Sequence, residues 1–240
     1  MVFSETTNRT GLIQLLEDLT NTQSSSSTSY PLAVKTRDIN SAFDEYQNYV
    51  KRTAGTWQAD DTNHTKYPNM KFNLSSTQQD YTFTVDEQGN QVQDIYRVET
   101  KNQSGVWVLL TPYDEFMEEE AIGYRETLTG TPERYYKTAN GIFLDVTPNY
   151  SSTLGIRMFY TRSPSYFLTT DTTKAAGIPN GHHRYLANKA AYWYWMSKDT
   201  AKANAFLSEC KRMEQDIKGE YADRSRDEVH IITSEHVNSI

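Results

Sequence analysis

The chain has 240 residues, 24 of them basic and 31 acidic, for a net charge of −7. That balance argues against tight binding to a phosphate backbone, which needs clustered lysine and arginine. Hydrophobic residues make up only 37% while tyrosine reaches 17 copies, and tyrosine suits protein–protein contacts as well as half-exposed strands.

No run approaches ~18 apolar residues, the length of a membrane span. The start, Met1-Val2-Phe3-Ser4-Glu5, lacks the basic and apolar regions of a secretion signal. The Asn-x-Ser/Thr triplets at Asn8, Asn63, Asn73, Asn102 and Asn149 then read as chance in a chain rich in those residues. The one cysteine, Cys210, falls at an apolar helical position. It is expected to be a small core residue, which fits a reducing cytoplasm.

A first helix is predicted to start after Thr10, whose hydroxyl can cap it, with Leu12, Leu15, Leu16 and Leu19 on one stripe. Residues 21–31, with four consecutive serines, read as a connection. A second helix is predicted over 36–52: Ile39, Phe43, Tyr46 and Val50 share a face, and Thr36 or Asp38 can serve its first turn. Ala54-Gly55 ends it.

From Trp57 to about Tyr166 the period becomes two. Met70, Phe72 and Leu74 alternate with polar residues, as do Tyr81, Phe83 and Val85; turn residues follow at 86–90 and 101–105. Further strands are predicted at 95–100, 106–110, 134–137, 141–146 and 154–161, a spacing that suggests an antiparallel sandwich or barrel. Helices resume at Asn180, with Leu186, Ala187, Ala190, Trp193 and Tyr194 on one side. After a break capped by Asp199 or Thr200, a last helix carries Ala203, Phe206, Cys210, Met213, Ile217 and Tyr221.

Two short N-terminal helices cannot bury their stripes alone. The expected fold is therefore α+β, a four-helix unit (1–56 with 176–223) interrupted by an antiparallel β-sandwich or barrel (57–175), with an extended tail over 224–240.

Three segments give the chain a family likeness: residues 36–42 of the second helix, with Ile39-Asn40-Ser41-Ala42; residues 130–136, with Gly130, Pro132, Tyr135 and Tyr136, then the apolar strands 141–148 and 154–160 ending at Pro148 and Tyr160; and the Ile178-Pro179 helix start with His182, Ala187, Ala190 and the break at Asp199. In this order they resemble the head-to-tail adaptor, or head-completion, proteins of tailed bacteriophages. The resemblance implies a virion protein of the neck, made in the bacterial cytoplasm. Its subunits would form a ring, dodecameric in most of the family, under the portal. The ring extends the DNA channel and docks tail or neck proteins, with no catalysis and no cofactor. Ring subunits meet head to tail through two different faces.

Candidate contact residues follow. Tyr192 and Trp195 point away from the Trp193 side of their helix and need a cover, either the β region or a neighbouring subunit. His182, His183 and Arg184 open that helix; adjacent histidines diverge by about 100° and do not chelate together, so partner or neighbour contacts are expected rather than a metal. In the tail, Val229, His230, Ile231, Ile232 and Thr233 have strand character and could extend a partner's sheet edge, with the portal as the expected partner. The acidic residues Glu118, Glu119 and Glu120 read as a solvated stretch or as a channel-facing surface that keeps DNA sliding.

Two rivals remain from the sequence alone. One is a tail or fibre-associated module that recognises host glycan or other virion proteins through a tyrosine-rich sheet. The other is a glycosidase, which needs two opposed acids; Asp94, Glu133 and Asp145 are in strands or turns, and their spacing singles out no pair. There is no phosphate-binding glycine loop and no Gly-x-Ser-x-Gly elbow.

Overall fold

A computed structural model describes residues 1–23, 28–54, 69–83, 85–86, 89, 91–113 and 127–226. The chain divides into two compact units, one of Met1–Thr65 with Pro164–Ile240 and one of Lys66–Ser163. Four α-helices and ten strands form among the described residues, an α+β protein.

The first unit is helical: α1 (Leu12–Thr20), α2 (Leu32–Ala54), a single 3₁₀ turn (Asn180–His182), α3 (His183–Met196) and α4 (Thr200–Arg226). The apolar positions read by spacing meet in one core. Leu12 and Leu16, then Ile39, Phe43, Tyr46 and Val50, then Leu186, Ala187 and Ala190, and finally Cys210, Met213, Ile217 and Tyr221 are all buried in it. Leu15, Leu19, Trp193, Tyr194 and Phe206 pack on its margin.

Helix starts differ from expectation, for reasons of hydrogen bonding. Thr10 does not cap α1: its hydroxyl donates to the Glu5 carboxylate at 3.0 Å, and Gly11 is the capping residue. The first amides of α1 are satisfied by distant backbone instead, Leu12 donating to the Val2 carbonyl and Ile13 to Phe3. Glycine is required at 11 because a Cβ there would lie 2.4 Å from the Glu5 backbone nitrogen. α2 begins a turn earlier than predicted, since the Pro31 carbonyl accepts from Val34 and Lys35. Thr36 is thereby interior to the helix and its hydroxyl turns back to the Leu32 carbonyl at 2.8 Å, while Asp38 accepts from the Tyr30 hydroxyl at 2.9 Å. Asp199 does cap α4, accepting from the Lys202 amide at 3.1 Å.

Residues 164–175 lie in this unit rather than with the strands. The Phe3 amide donates to the Lys174 carbonyl, Phe3 stacks on Phe167 at 4.6 Å, and the Asn40 side chain both donates to the Phe167 carbonyl and accepts from its amide at 2.9 Å. The chain's N-terminus is thus held by a segment far away in sequence.

The second unit holds two four-stranded sheets. One has the order β1-β10-β3-β4 (Asn69–Leu74, Ser152–Arg162, Val92–Lys101, Trp107–Leu109) and is antiparallel throughout. The other has the order β2-β8-β7-β5 (Asp80–Thr82, Gly141–Leu144, Arg134–Thr138, Thr111–Pro112), with β5 parallel to β7. A short parallel pair, β6 (Thr129–Gly130) with β9 (Thr147–Pro148), completes it. Both four-stranded sheets feed one apolar cluster that includes Met70, Leu74, Tyr81, Val98, Tyr135, Ile142, Ile156 and Met158. Neither sheet closes on itself among the described residues, and two short parallel pairings, β5 with β7 and β6 with β9, join otherwise antiparallel strands.

Candidate assembly surfaces

The α3–α4 hairpin positions four consecutive aromatic residues, Tyr192 to Trp195. Tyr194 packs at 4.6 Å against Tyr30 and meets Trp195 edge-on at 5.1 Å. Two lysines from the hairpin turn and α4 close over the rings, Lys198 at 3.8 Å from the Tyr194 centroid and Lys202 at 4.1 Å from that of Trp195. Trp195 is half-buried, and its indole N–H donates to the Leu19 carbonyl at 3.1 Å. Its own chain's α1 therefore supplies part of the cover that the sequence reading sought in the β region or a neighbour. Tyr192 stays half-buried with the Lys189 ammonium 5.7 Å from its ring, and Met196 beside this group is 59% exposed.

His182 and His183 prove to be interior, which withdraws them from the candidate contact set. His182 Nδ1 shares a 2.7 Å hydrogen bond with the Tyr46 hydroxyl and its Nε2 lies 2.9 Å from Glu220, so it ties the 3₁₀ turn to α2 and α4. His183 Nε2 lies 2.9 Å from the Ile178 carbonyl. Of the three helix-opening residues only Arg184 is exposed. Nearby, Lys189 sits between Glu45 at 2.7 Å and Glu214 at 3.9 Å. Burial works against its charge, yet the Glu45 and Glu214 carboxylates hold its ammonium pKa above the ordinary value. Glu118, Glu119 and Glu120 and the tail residues 229–233 lie outside the described residues.

The sequence reading missed a patterned sheet face in the second unit. Cross-strand register sets Lys71, Arg157, Glu99 and Leu109 in one row, with Phe159 beside Arg97 and Lys101 beside Trp107 in the flanking rows. At the centre, Glu99 is buried and accepts from Arg97 Nε at 2.5 Å and from Arg157 through Nε at 2.8 Å and Nη2. Arg157 lies over the Trp107 ring at 4.4 Å and over Phe159 at 5.3 Å, and Lys101 over Trp107 at 5.1 Å. A cavity of about 510 Å³ opens against Tyr96, Arg97, Glu99 and Phe159. The signal was present as alternate positions 97, 99 and 101 against 157 and 159, but an alternating charged strand ordinarily reads as a solvated face.

With both units in view, comparison with known families is decisive. The family model described as SU10 adaptor protein matches residues 8–231. The chain belongs to the SU10 adaptor protein family. This fits the phage head-to-tail adaptors that the sequence resembles. No match is found among curated proteins.

An SU10 adaptor protein is a structural component of a phage virion, so the surfaces above are to be weighed as contact faces. The single thiol, Cys210, is fully buried and burial pushes its pKa up to about 12, which leaves it inert as a nucleophile. Among the described residues no group of His, Cys, Asp and Glu is placed to hold a metal ion, and no helix is long and apolar enough to cross a membrane. What the adaptor does present is a half-open aromatic hairpin tip on the helical unit and a cation-and-ring face on the β unit.

Proposed function

We propose that this SU10 adaptor protein assembles into a dodecameric ring beneath the portal, where it extends the DNA channel and docks tail or neck proteins. The observation that carries the reading is the family match over 8–231, which takes in both compact units. The helical unit builds the ring and meets the portal, with Tyr192, Trp195 and Arg184 among its contacts, since aromatic and arginine side chains dominate interface energetics. The cation-and-ring face of the β unit docks tail or neck proteins. Residues 229–233 act as a strand donor to a partner's sheet edge. Glu118, Glu119 and Glu120 face the lumen, where negative charge lets DNA slide during ejection. Binding and assembly are its whole work; it catalyses nothing.

Electron microscopy of the virion neck tests this. A density ring between portal and tail that traces this sequence is the expected result. Virions whose unique vertex lacks this polypeptide would refute the assignment.

A further inference from the structure

Strand β4 stands at the end of its sheet, beyond β3. The Leu110 amide bonds to the Val98 carbonyl and the Asn102 amide to the Val106 carbonyl. The peptide groups of 106, 108 and 110 therefore face β3, and those of Trp107 and Leu109 point away from the sheet. No hydrogen bond among the described residues occupies that outer side. Apolar exposure concentrates at the same place: Val106 is 58%, Val108 39% and Leu109 52% exposed. Proteins ordinarily blunt such an edge with charge, proline or a covering segment, because an open apolar strand is a template for another chain.

The same sequence holds a segment of matching chemistry outside the described residues. After α4 ends at Arg226 there remain residues 227–240, and Val229, Ile231 and Thr233 alternate there with His230 and Ile232. Set beside β4, one side of such a strand covers Val106 and Val108 and the other covers Trp107 and Leu109. Asp227 and Glu228 precede it, and the receiving face carries Lys101 and Arg157. Apolar pattern and charge are complementary together.

We propose that residues 229–233 of one copy add a strand to the open edge of β4 in a second copy. This names the partner of the strand donor in the ring reading above, and it rests on that reading for its place in the virion. The contact is heterologous, donor on one face and acceptor on another, which is the form that ring closure requires. One short strand gives a weak contact by itself, which repetition around a ring strengthens.

Complementation in the full chain tests it by sedimentation. Leu109→Pro removes the outward N–H without touching the β3 ladder, a position where edge strands tolerate proline. Ile231→Pro spoils the donor and leaves the edge intact. Each variant alone is expected to associate at least about tenfold more weakly than the original chain. An equal mixture is expected to form one-to-one pairs, because each supplies what the other lacks. If Leu109→Pro misfolds by circular dichroism, Leu109→Lys blocks the edge with charge instead. A mixture that fails to pair overturns the proposal. So does an Ile231→Pro chain that associates normally, which would mean β4 pairs with β4. An original chain that stays monomeric at about 1 mM also overturns it, whether the tail seats on its own chain or nowhere. None of these outcomes depends on finding the protein in the neck, so the two readings fail separately.

Discussion

Lys35 donates to the Glu17 carboxylate at 3.0 Å inside the helical unit, with both side chains almost wholly withdrawn from water. The pair joins the middle of α1 to the first turns of α2. The Lys35 ammonium also donates to the Thr22 carbonyl at 3.2 Å, and Arg9 approaches Glu17 from outside at 3.5 Å. An uncompensated buried charge costs more than the pair is worth, because desolvation is no longer offset by attraction. Lys35→Met is therefore expected to destabilise the unit by about 3 kcal/mol, roughly a 10 °C fall in Tm for a chain of this size. Adding Glu17→Leu should restore at least half of that loss. Thermal melts of the single and double variants measure it, and equal melting of the two would show that Arg9 alone satisfies Glu17.

Asn40 clamps the backbone of Phe167 from both sides, across 127 residues of sequence. Asn40→Ala leaves a peptide N–H and C=O without partners at a half-buried site and should cost about 2 kcal/mol. Asn40→Asp keeps the acceptor for the Phe167 amide but sets a carboxylate against its carbonyl, so it should rescue nothing. Limited proteolysis read at residues 164–170 reports the release directly; protection in the aspartate variant equal to the original would mean the donor half is idle.

Glu99 gives the β unit a pH dependence of definite sign. Burial pushes its carboxyl pKa up, but the hydrogen bonds and charges of Arg157 and Arg97 outweigh burial and hold it below the ordinary glutamate value. A group lowered in the folded state contributes stability above its unfolded value, about 4.3. That contribution is lost as pH falls through the lower folded value. Asp145 works the other way, because burial raises its pKa despite backbone hydrogen bonds. The comparison to make is thus Glu99→Gln against the original chain. The variant is expected to lose about 2 kcal/mol at pH 7 and progressively less below pH ~4. Denaturant melts at both pH values decide it; a constant difference would mean that the carboxylate charge is irrelevant.

How far the sequence could be read follows from how local each cause is. Ile39, Phe43, Tyr46 and Val50 are spaced by the helical repeat, and all four reached the core. The switch to period two, placed at Trp57, announced the sheets, whose first described strand begins at Asn69, so the α+β class was legible. Thr10 misled because a hydroxyl before a leucine stripe looks like a cap, whereas the carbonyls of Val2 and Phe3 took that role. His182 and His183 misled because the helix start is buried by α2 and α4, and no local pattern shows this. Glu99 was invisible for a related reason: it is buried among arginines of its own strand and of a neighbouring strand. Pairings that join distant segments, such as Asn40 with Phe167, leave no periodicity to detect.

The hairpin tip yields the prediction that separates folding from assembly. Trp195 serves its own subunit through the hydrogen bond to Leu19, so Trp195→Phe should cost about 1 kcal/mol of stability. It should weaken ring formation as well, since part of the Trp195 ring stays open to a neighbour. Tyr192 is half-buried, with the Lys189 ammonium 5.7 Å from its ring. Tyr192→Ala should therefore leave the melting temperature within a few degrees, as surface changes do. If it is a subunit or portal contact of the kind that dominates interfaces, ring formation on purified portal should weaken by about thirtyfold, the effect of a 2 kcal/mol hot spot. Counting rings by electron microscopy at matched protein concentrations reads this out. Normal ring yield from Tyr192→Ala would remove it from the interface and move the search to Met196 and the exposed side of α4.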